Sequence, residues 1–209
     1  MDSALEQRQV QRAYALYSPV YDLIFDWIFS PGRQAAVRLL DIHRGDRILE
    51  VGIGTGLNLP LYPLDSQLTG VDISAEMLEK AQRRIHELGL RNATLKLMDA
   101  AATDFGDNEF DRALATYVIS AVPDPVGVLR EIRRVVKPGG TLVILNHFRS
   151  EQRLIGALDD LVSPLCTRLG WKSNLPFEPL LRQVNLTPET IRKVNLFKGW
   201  RLLRCINQK

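Results

Sequence analysis

The chain has 209 residues, 45% hydrophobic and 24% charged, which suits one α/β domain with a full core and leaves two independent domains cramped. Its net charge of +3 is too weak to imply a nucleic-acid partner by itself. Cys166 and Cys205, its two cysteines, form neither metal-ligand spacing nor a disulfide framework, so a reducing compartment is expected. MDSALEQRQVQRAY at the start has no basic segment followed by an apolar run, so no signal peptide is expected. No stretch approaches the roughly 18 apolar residues of a membrane span.

Residues 4–16 are expected to form a polar helix. Ser18 caps a second helix with Pro19 at its first position. That helix runs from about Val20 toward Leu40, with an interruption expected near Ser30-Pro31-Gly32 because proline disfavours helix in the residue before it. Its first part, VYDLIFDWIF, is unusually apolar and aromatic. Strands follow at Arg47–Val51 and Gln67–Val71. Ser74 caps the helix AEMLEKAQRRIHEL, and Gly89 stops it. Thr94–Met98 and Phe110–Thr116 read as the third and fourth strands. A helix at Pro125–Val136 ends in Lys137-Pro138-Gly139-Gly140, and Thr141–His147 is a fifth strand. Residues 150–170 look helical, and 189–195 and 200–207 look like closing strands. Strands separated by helices argue for parallel βαβ units with helices on both faces.

The strongest chemical signal follows the first strand. Glu50-Val51-Gly52-Ile53-Gly54-Thr55-Gly56 lets the chain turn sharply and bring its backbone close to a ligand. A nicotinamide dinucleotide fingerprint would need Gly or Ala three residues past Gly54, where Leu57 stands. Instead the glycines fall at 52, 54 and 56, behind an acid. Asp72 ends the second strand, where a carboxylate can accept both hydroxyls of a ribose. Ile73 and Met77 follow and are candidates to pack on an adenine. Asp99, beside the backbone of Ala100, is a candidate reader of the adenine amino group. Ligands bind at the carboxyl ends of strands in open α/β sheets, which brings in Thr116 and Tyr117 at the end of the fourth.

LEVGIGTG, GVDISAEMLEKAQ, MDA, FDRALA and RVVKPGGTLVI, over about residues 45–147, resemble the class I S-adenosylmethionine-dependent methyltransferases. The resemblance implies a Rossmann-like, seven-stranded, mostly parallel sheet with its last strand antiparallel. It implies S-adenosylmethionine as cofactor, held by Glu50, Gly52, Gly54, Gly56, Asp72, Ile73, Met77, Asp99, Ala100 and Thr116. Outside that core, YALYSPVYDLIF, NHF at 146–148 and LGWKSNLPFE at 169–178 resemble bacterial phospholipid N-methyltransferases, which methylate phosphatidylethanolamine stepwise toward phosphatidylcholine. On that likeness residues 1–40 form a helical lid suited to a lipid surface, and residues 41–209 form the methyltransferase domain. The protein would then work at the inner face of the membrane, held peripherally.

Methyl transfer from a sulfonium is an in-line displacement, so the protein must position the nucleophile and keep it unprotonated. His147, at the end of the fifth strand, is the candidate proton acceptor, assisted by Asn146. Tyr17 and Tyr21 are candidates to close over the cofactor and contact the ammonium through ring faces and hydroxyls. Tyr117, at the end of the fourth strand, is a candidate to bind the substrate. Arg149 and Lys172 are candidates for the lipid phosphate. Residues 151–209 hold ten Lys/Arg against five Asp/Glu, a basic bias that suits an anionic lipid surface. A C- or O-methyltransferase for a quinone or another small apolar acceptor fits the same core. A non-catalytic cofactor-binding protein would bind without turnover. Nucleic-acid amino-methyltransferases commonly carry an Asn/Asp-Pro-Pro-aromatic motif where this chain has Thr116-Tyr117-Val118-Ile119. Three His and two Cys, scattered along the chain, form no metal-ligand cluster, and no obligate protein partner is evident.

Overall fold

The computed structural model describes residues 18–149, 160, 161, 163, 166, 173–195 and 199–209, with side chains from Phe29 onward. Helix α1 spans Ser18–Leu39. Strands β1 (Arg47–Val51) and β2 (Gln67–Asp72) follow, joined through a 3-10 turn at Leu59–Leu61. Helix α2 (Ala75–Glu87) leads to β3 (Ala93–Leu97) and β4 (Phe110–Thr116). Helix α3 (Pro125–Val135) runs straight into β5 (Val136–His147). Helix α4 (Phe177–Gln183), β6 (Pro188–Val194) and β7 (Trp200–Ile206) close the order.

The seven strands form one sheet in the order β3-β2-β1-β4-β5-β7-β6. Pairs among β1 to β5 are parallel, and β7 is antiparallel to both β5 and β6. This is the Rossmann-like architecture with an antiparallel last strand. Order reverses between β1 and β4, whose carboxyl ends open on the same edge, and a crevice forms there. The central strands are buried on both faces, so RILEV and FDRALAT read as nearly continuous runs.

Local chemistry fixes the helix ends. Ser74 accepts from the Met77 amide at 3.3 Å, and Gly89, at φ +64°, lets the chain leave α2. Asp124 accepts from the Gly127 amide at 2.8 Å, ahead of Pro125 at the first turn of α3.

Three elements differ from expectation. Helix α1 continues through Pro31 instead of breaking. Packing outweighs the lost hydrogen bond, since Phe29, Gly32, Arg33, Ala36 and Val37 are all buried. Lys137-Pro138-Gly139-Gly140 belong to β5 because Asn207 grips them. The Gly139 amide donates to the Asn207 carbonyl at 2.9 Å, the Asn207 amide donates back to Gly140 at 2.9 Å, and Asn207 Nδ2 donates to the Val136 carbonyl at 2.8 Å. Helix α4 had no expectation, being too short for a clear period; Phe177, Leu180 and Leu181 bury it in the core. Asp160, Leu161, Ser163 and Cys166 of the expected 150–170 helix are helical. The rest of that segment and the helix expected over 4–16 lie outside the described residues.

Residue 40 was the expected limit of a lid, and the core runs across it. Ala36, Val37 and Leu40 pack in one cluster with Ile48, Leu114, Val143, Leu145 and Leu202, so the second half of α1 is a layer on the sheet. Edge strand β6 exposes Glu189, Ile191, Arg192 and Lys193. No helix among the described residues is long and apolar enough to cross a membrane.

Arg112 ties α1 to the sheet. Buried at 8% exposure, it donates to Asp46, to the Leu40 carbonyl at 2.7 Å and to Thr141 Oγ1 at 3.0 Å. Arg112→Met leaves Asp46 without its cationic partner, with the His43 amide alone to bond it. We expect a loss on the order of 3 kcal/mol, read as a lower urea midpoint at unchanged denaturant slope.

Candidate cofactor and acceptor site

The turn after β1 is built backward from β2. Gly52 and Ile53 donate to the Val71 carbonyl at 2.9 and 3.1 Å, and Gly54 donates to Asp72 Oδ2 at 2.9 Å. Gly52 and Gly54 take φ of +68° and +55°, conformations that L side chains avoid. A Cβ at Gly52 would overlap Val118, whereas one at Gly54 would meet nothing. Gly54 therefore presents bare backbone to an open space. That space is a pocket at the carboxyl ends of β1, β2 and β4.

Glu50 anchors its floor and is 1% exposed. Oε1 accepts from Asn58 Nδ2 at 2.7 Å and Oε2 from the Tyr62 hydroxyl at 2.8 Å. Asn58 Nδ2 also donates to Thr116 Oγ1 at 3.1 Å, linking β1 to β4 through one amide. Burial pushes the Glu50 carboxyl up to about 7, against the hydrogen bonds of Tyr62 and Asn58 and the charge of Arg33. Asp72 is likewise raised by burial, opposed by backbone N–H donors at Ser74, Gly54 and Ile73. Its Oδ2 accepts from Gly54 and its Oδ1, at 2.9 Å, from Ser74.

The structure gathers Glu50, Gly52, Gly54, Asp72, Ile73, Met77, Thr116 and Tyr117 around this pocket. Gly56 sits one turn behind it, where a Cβ would overlap Leu59. Asp99 and Ala100 lie past the end of β3, off the pocket wall. Asp99 is exposed and caps the Ala101 amide at 2.9 Å.

His147 stands apart from the pocket wall, at the end of a row of rings. Tyr117 meets Phe29 edge-on at 5.0 Å, Phe29 meets Trp200 at 5.0 Å, and Trp200 meets His147 at 5.7 Å. Asn146 is fully buried; its carbonyl accepts from the Ser120 amide at 3.3 Å and its Nδ2 donates to the His147 carbonyl at 2.7 Å. Arg149 forks onto Asp160 at 2.8 and 3.0 Å. Tyr17 and Lys172 lie outside the described residues. Tyr21 lies on α1, in the part whose side chains are not described.

Sequence reasoning missed Arg33, Asn58 and Tyr62. Arg33 is 4% exposed and Asn58 2%, and both line the pocket. An arginine in a helix and an asparagine after a glycine loop read as surface and turn, so only the buried position reveals them.

Residues 49–144 match the methyltransferase domain family. The chain is 38% identical over 191 residues to a phosphatidylethanolamine N-methyltransferase of Cereibacter sphaeroides, covering 88% of this chain and 93% of that one. It is 29% identical over 217 residues to a demethylmenaquinone methyltransferase of Listeria monocytogenes, covering 97% of this chain and 91% of that one. Its fold is similar to a Haemonchus contortus phosphoethanolamine N-methyltransferase 2 solved with phosphomonomethylethanolamine and S-adenosylhomocysteine. That likeness has a TM-score of 0.73 at 18% identity, covering 92% of this chain and 58% of that one. Fold and site thus define a class I methyltransferase. The chain belongs to the S-adenosylmethionine-dependent methyltransferases, and its cofactor is S-adenosylmethionine.

The pocket fits that molecule. It offers a carboxylate at Asp72 for a diol, apolar Ile73 and Met77 for a purine, and a guanidinium at Arg33. Asn58 Oδ1 is buried with no hydrogen-bond partner among the described residues. A buried acceptor without a donor is costly unless a ligand supplies one.

Glu50 makes stability pH-dependent. An ordinary glutamate loses its proton near 4.5 and this one near 7, so the unfolded chain releases the proton first. The contribution is full below about 4.5 and is lost as pH rises to 7. A shift of that size corresponds to on the order of 3 kcal/mol. Urea unfolding at pH 5 and pH 8 should show this difference, and Glu50→Gln should shrink it.

Proposed function

We propose that the protein methylates the amine of phosphatidylethanolamine and its partly methylated forms, toward phosphatidylcholine. The observation that carries this reading is the 38% identity across 93% of a phosphatidylethanolamine N-methyltransferase. Its rival is a quinone precursor, favoured by the 29% identity across 91% of a demethylmenaquinone methyltransferase.

When bound, S-adenosylmethionine supplies an electrophilic methyl group on a good leaving group. The protein's own residues bring the acceptor to it. In the proposed arrangement the glycine loop and Asp72 hold the nucleoside, while Thr116 and Tyr117 flank the reacting end at the tip of β4. A lipid amine resembles lysine, with an ordinary pKa near 10, and arrives charged. Apolar walls and rings favour its neutral form by desolvation and still hold the cation by ring faces until the proton leaves. Tyr117, Phe29 and Trp200 supply such rings in a row that runs from the pocket to His147. His147 takes the proton. Asn146, with both ends of its amide engaged, acts as a positioning residue for His147 and the Ser120 turn. Tyr17 and Tyr21 cover the acceptor from the N-terminal segment. Arg149 and Lys172 meet the lipid phosphate, and Arg149 exchanges Asp160 for it. The basic 151–209 region and the apolar start of α1 give peripheral contact with an anionic membrane.

Two measurements test this. Labelled S-adenosylmethionine is offered with vesicles of anionic lipid, with or without phosphatidylethanolamine, and separately with quinone precursors. Label entering lipid only when the amine lipid is present supports the reading, and label entering only the quinone precursor replaces it. His147→Ala should lower kcat at neutral pH about 10²-fold with cofactor affinity unchanged. Near-normal turnover would remove His147 as the proton acceptor.

A further inference from the structure

Three elements meet at one hydroxyl. Tyr117, the first residue past β4, donates its phenol O–H to the Phe29 carbonyl of α1 at 3.1 Å. Asn195, the first residue past β6, donates its Nδ2 to the same hydroxyl oxygen at 2.8 Å. Chemistry fixes the direction of both bonds. A carbonyl only accepts and an amide nitrogen only donates, so the phenol proton has one destination. Both residues take left-handed backbone, φ +61° at Tyr117 and +62° at Asn195. Asparagine tolerates that conformation, and a tyrosine rarely adopts it. The Tyr117 amide is pinned to the Leu145 carbonyl of β5 at 2.6 Å. Helix α1 comes this close because residue 32 is glycine: a Cβ there would overlap Asn195 Oδ1 and the Tyr117 hydroxyl. Glycine inside a helix weakens it, and here the weak point coincides with the contact.

We propose that Asn195 is a positioning residue for methyl transfer: it fixes the Tyr117 hydroxyl so that its proton goes to Phe29, and the resulting clasp holds α1 against the tip of β4. Tyr117 lines the pocket, and its ring meets Phe29 edge-on at 5.0 Å. The hydroxyl is spent on the clasp, which leaves the ring to face the acceptor. Burial pushes the phenol above its ordinary pKa, against the Asn195 hydrogen bond and the charge of Arg33, so the group keeps its proton and does not compete as a base. Asn195 Oδ1 is buried with no donor among the described residues. An unpaired buried oxygen is costly, which makes plain stabilisation a poor account of this amide. The turn that carries Asn195 also supports the row of rings. Val194 pairs with Trp200 across it, and Trp200 meets Phe29 edge-on at 5.0 Å. The C-terminal hairpin thus acts on the pocket through α1 and Tyr117. The kinetic consequence rests on the proposed methyl transfer and holds for a lipid or a quinone acceptor alike, and the clasp itself can be read without any acceptor.

Amide hydrogen exchange on the whole chain reads the clasp. Asn195→Gly keeps the left-handed backbone and removes the donor. Its α1 amides should exchange about five- to tenfold faster, with α2 unchanged. Asn195→Asp keeps the shape, but its carboxylate only accepts. It draws the phenol proton away from Phe29, so α1 should loosen likewise. Gly32→Ala raises helix propensity and would slow exchange in a helix that merely packs. Through the clasp it should speed exchange instead, and it decides the matter if Asn195→Gly does not fold. Turnover is measured with phosphatidylethanolamine vesicles or a quinone precursor, whichever takes label. Asn195→Gly should raise the KM of that acceptor about tenfold and leave the KM for S-adenosylmethionine unchanged. Label entering neither acceptor counts against the proposed substrates, and the exchange result then decides the clasp alone. An α1 as protected in Asn195→Asp as in the unaltered protein, slower exchange in Gly32→Ala, or an unchanged acceptor KM in Asn195→Gly overturns the proposal.

Discussion

The site depends on a carboxylate kept where water cannot reach it. Glu50 ends its strand pointing into the protein, and both oxygens are committed, one to Asn58 and one to Tyr62. These partners lie 8 and 12 residues downstream, so a single side chain fixes both ends of the excursion that follows the glycine turn. Through Asn58 the same carboxylate reaches Thr116 on the neighbouring strand. The distance between β1 and β4 at their open ends is thus set by an acid, an amide and a hydroxyl. Leaving such a group buried is costly. The hydrogen bonds to both oxygens offset part of that cost, and a buried network with every oxygen engaged is rigid.

Asp72 has a comparable double task. It closes the glycine loop from beneath through Gly54 and opens α2 through Ser74. The group expected to bind a ligand is therefore also the group that shapes its loop. Removing it would disturb the geometry and the recognition together. Experiments that separate the two must alter the ligand as well as the residue.

Much of this was legible in the sequence because its signals are local. Glu-x-Gly-x-Gly-x-Gly after a strand, Asp at the end of the next strand and Ser74 before a helix each carry their own chemistry within a few residues. Strands β1 to β5 and β7 followed from apolar runs broken by Gly, Asp and Pro. Long-range facts stayed hidden. The continuity of α1 through Pro31 depends on burial of its neighbours against the sheet. The extension of β5 to Val136 depends on Asn207, 71 residues away. Arg33 and Asn58 gain their importance from lining one pocket, and no spacing in the chain encodes that. The committed amide of Asn146 was equally hidden, since it depends on which backbone groups lie nearby.

The free edge of the sheet has a consequence for how copies of this protein meet one another. Among the described residues β6 has one neighbouring strand, so its outer backbone groups could template pairing with another chain. Arg192 and Lys193 stand exposed on its two faces, and Lys193 is directly opposite Arg201 across the ladder. A second sheet docking edge to edge in a register that set these cations opposite like charges would be disfavoured on a β-ladder. The charges on this strand therefore sort the possible registers of edge-to-edge pairing, raising the cost of those that set cation against cation.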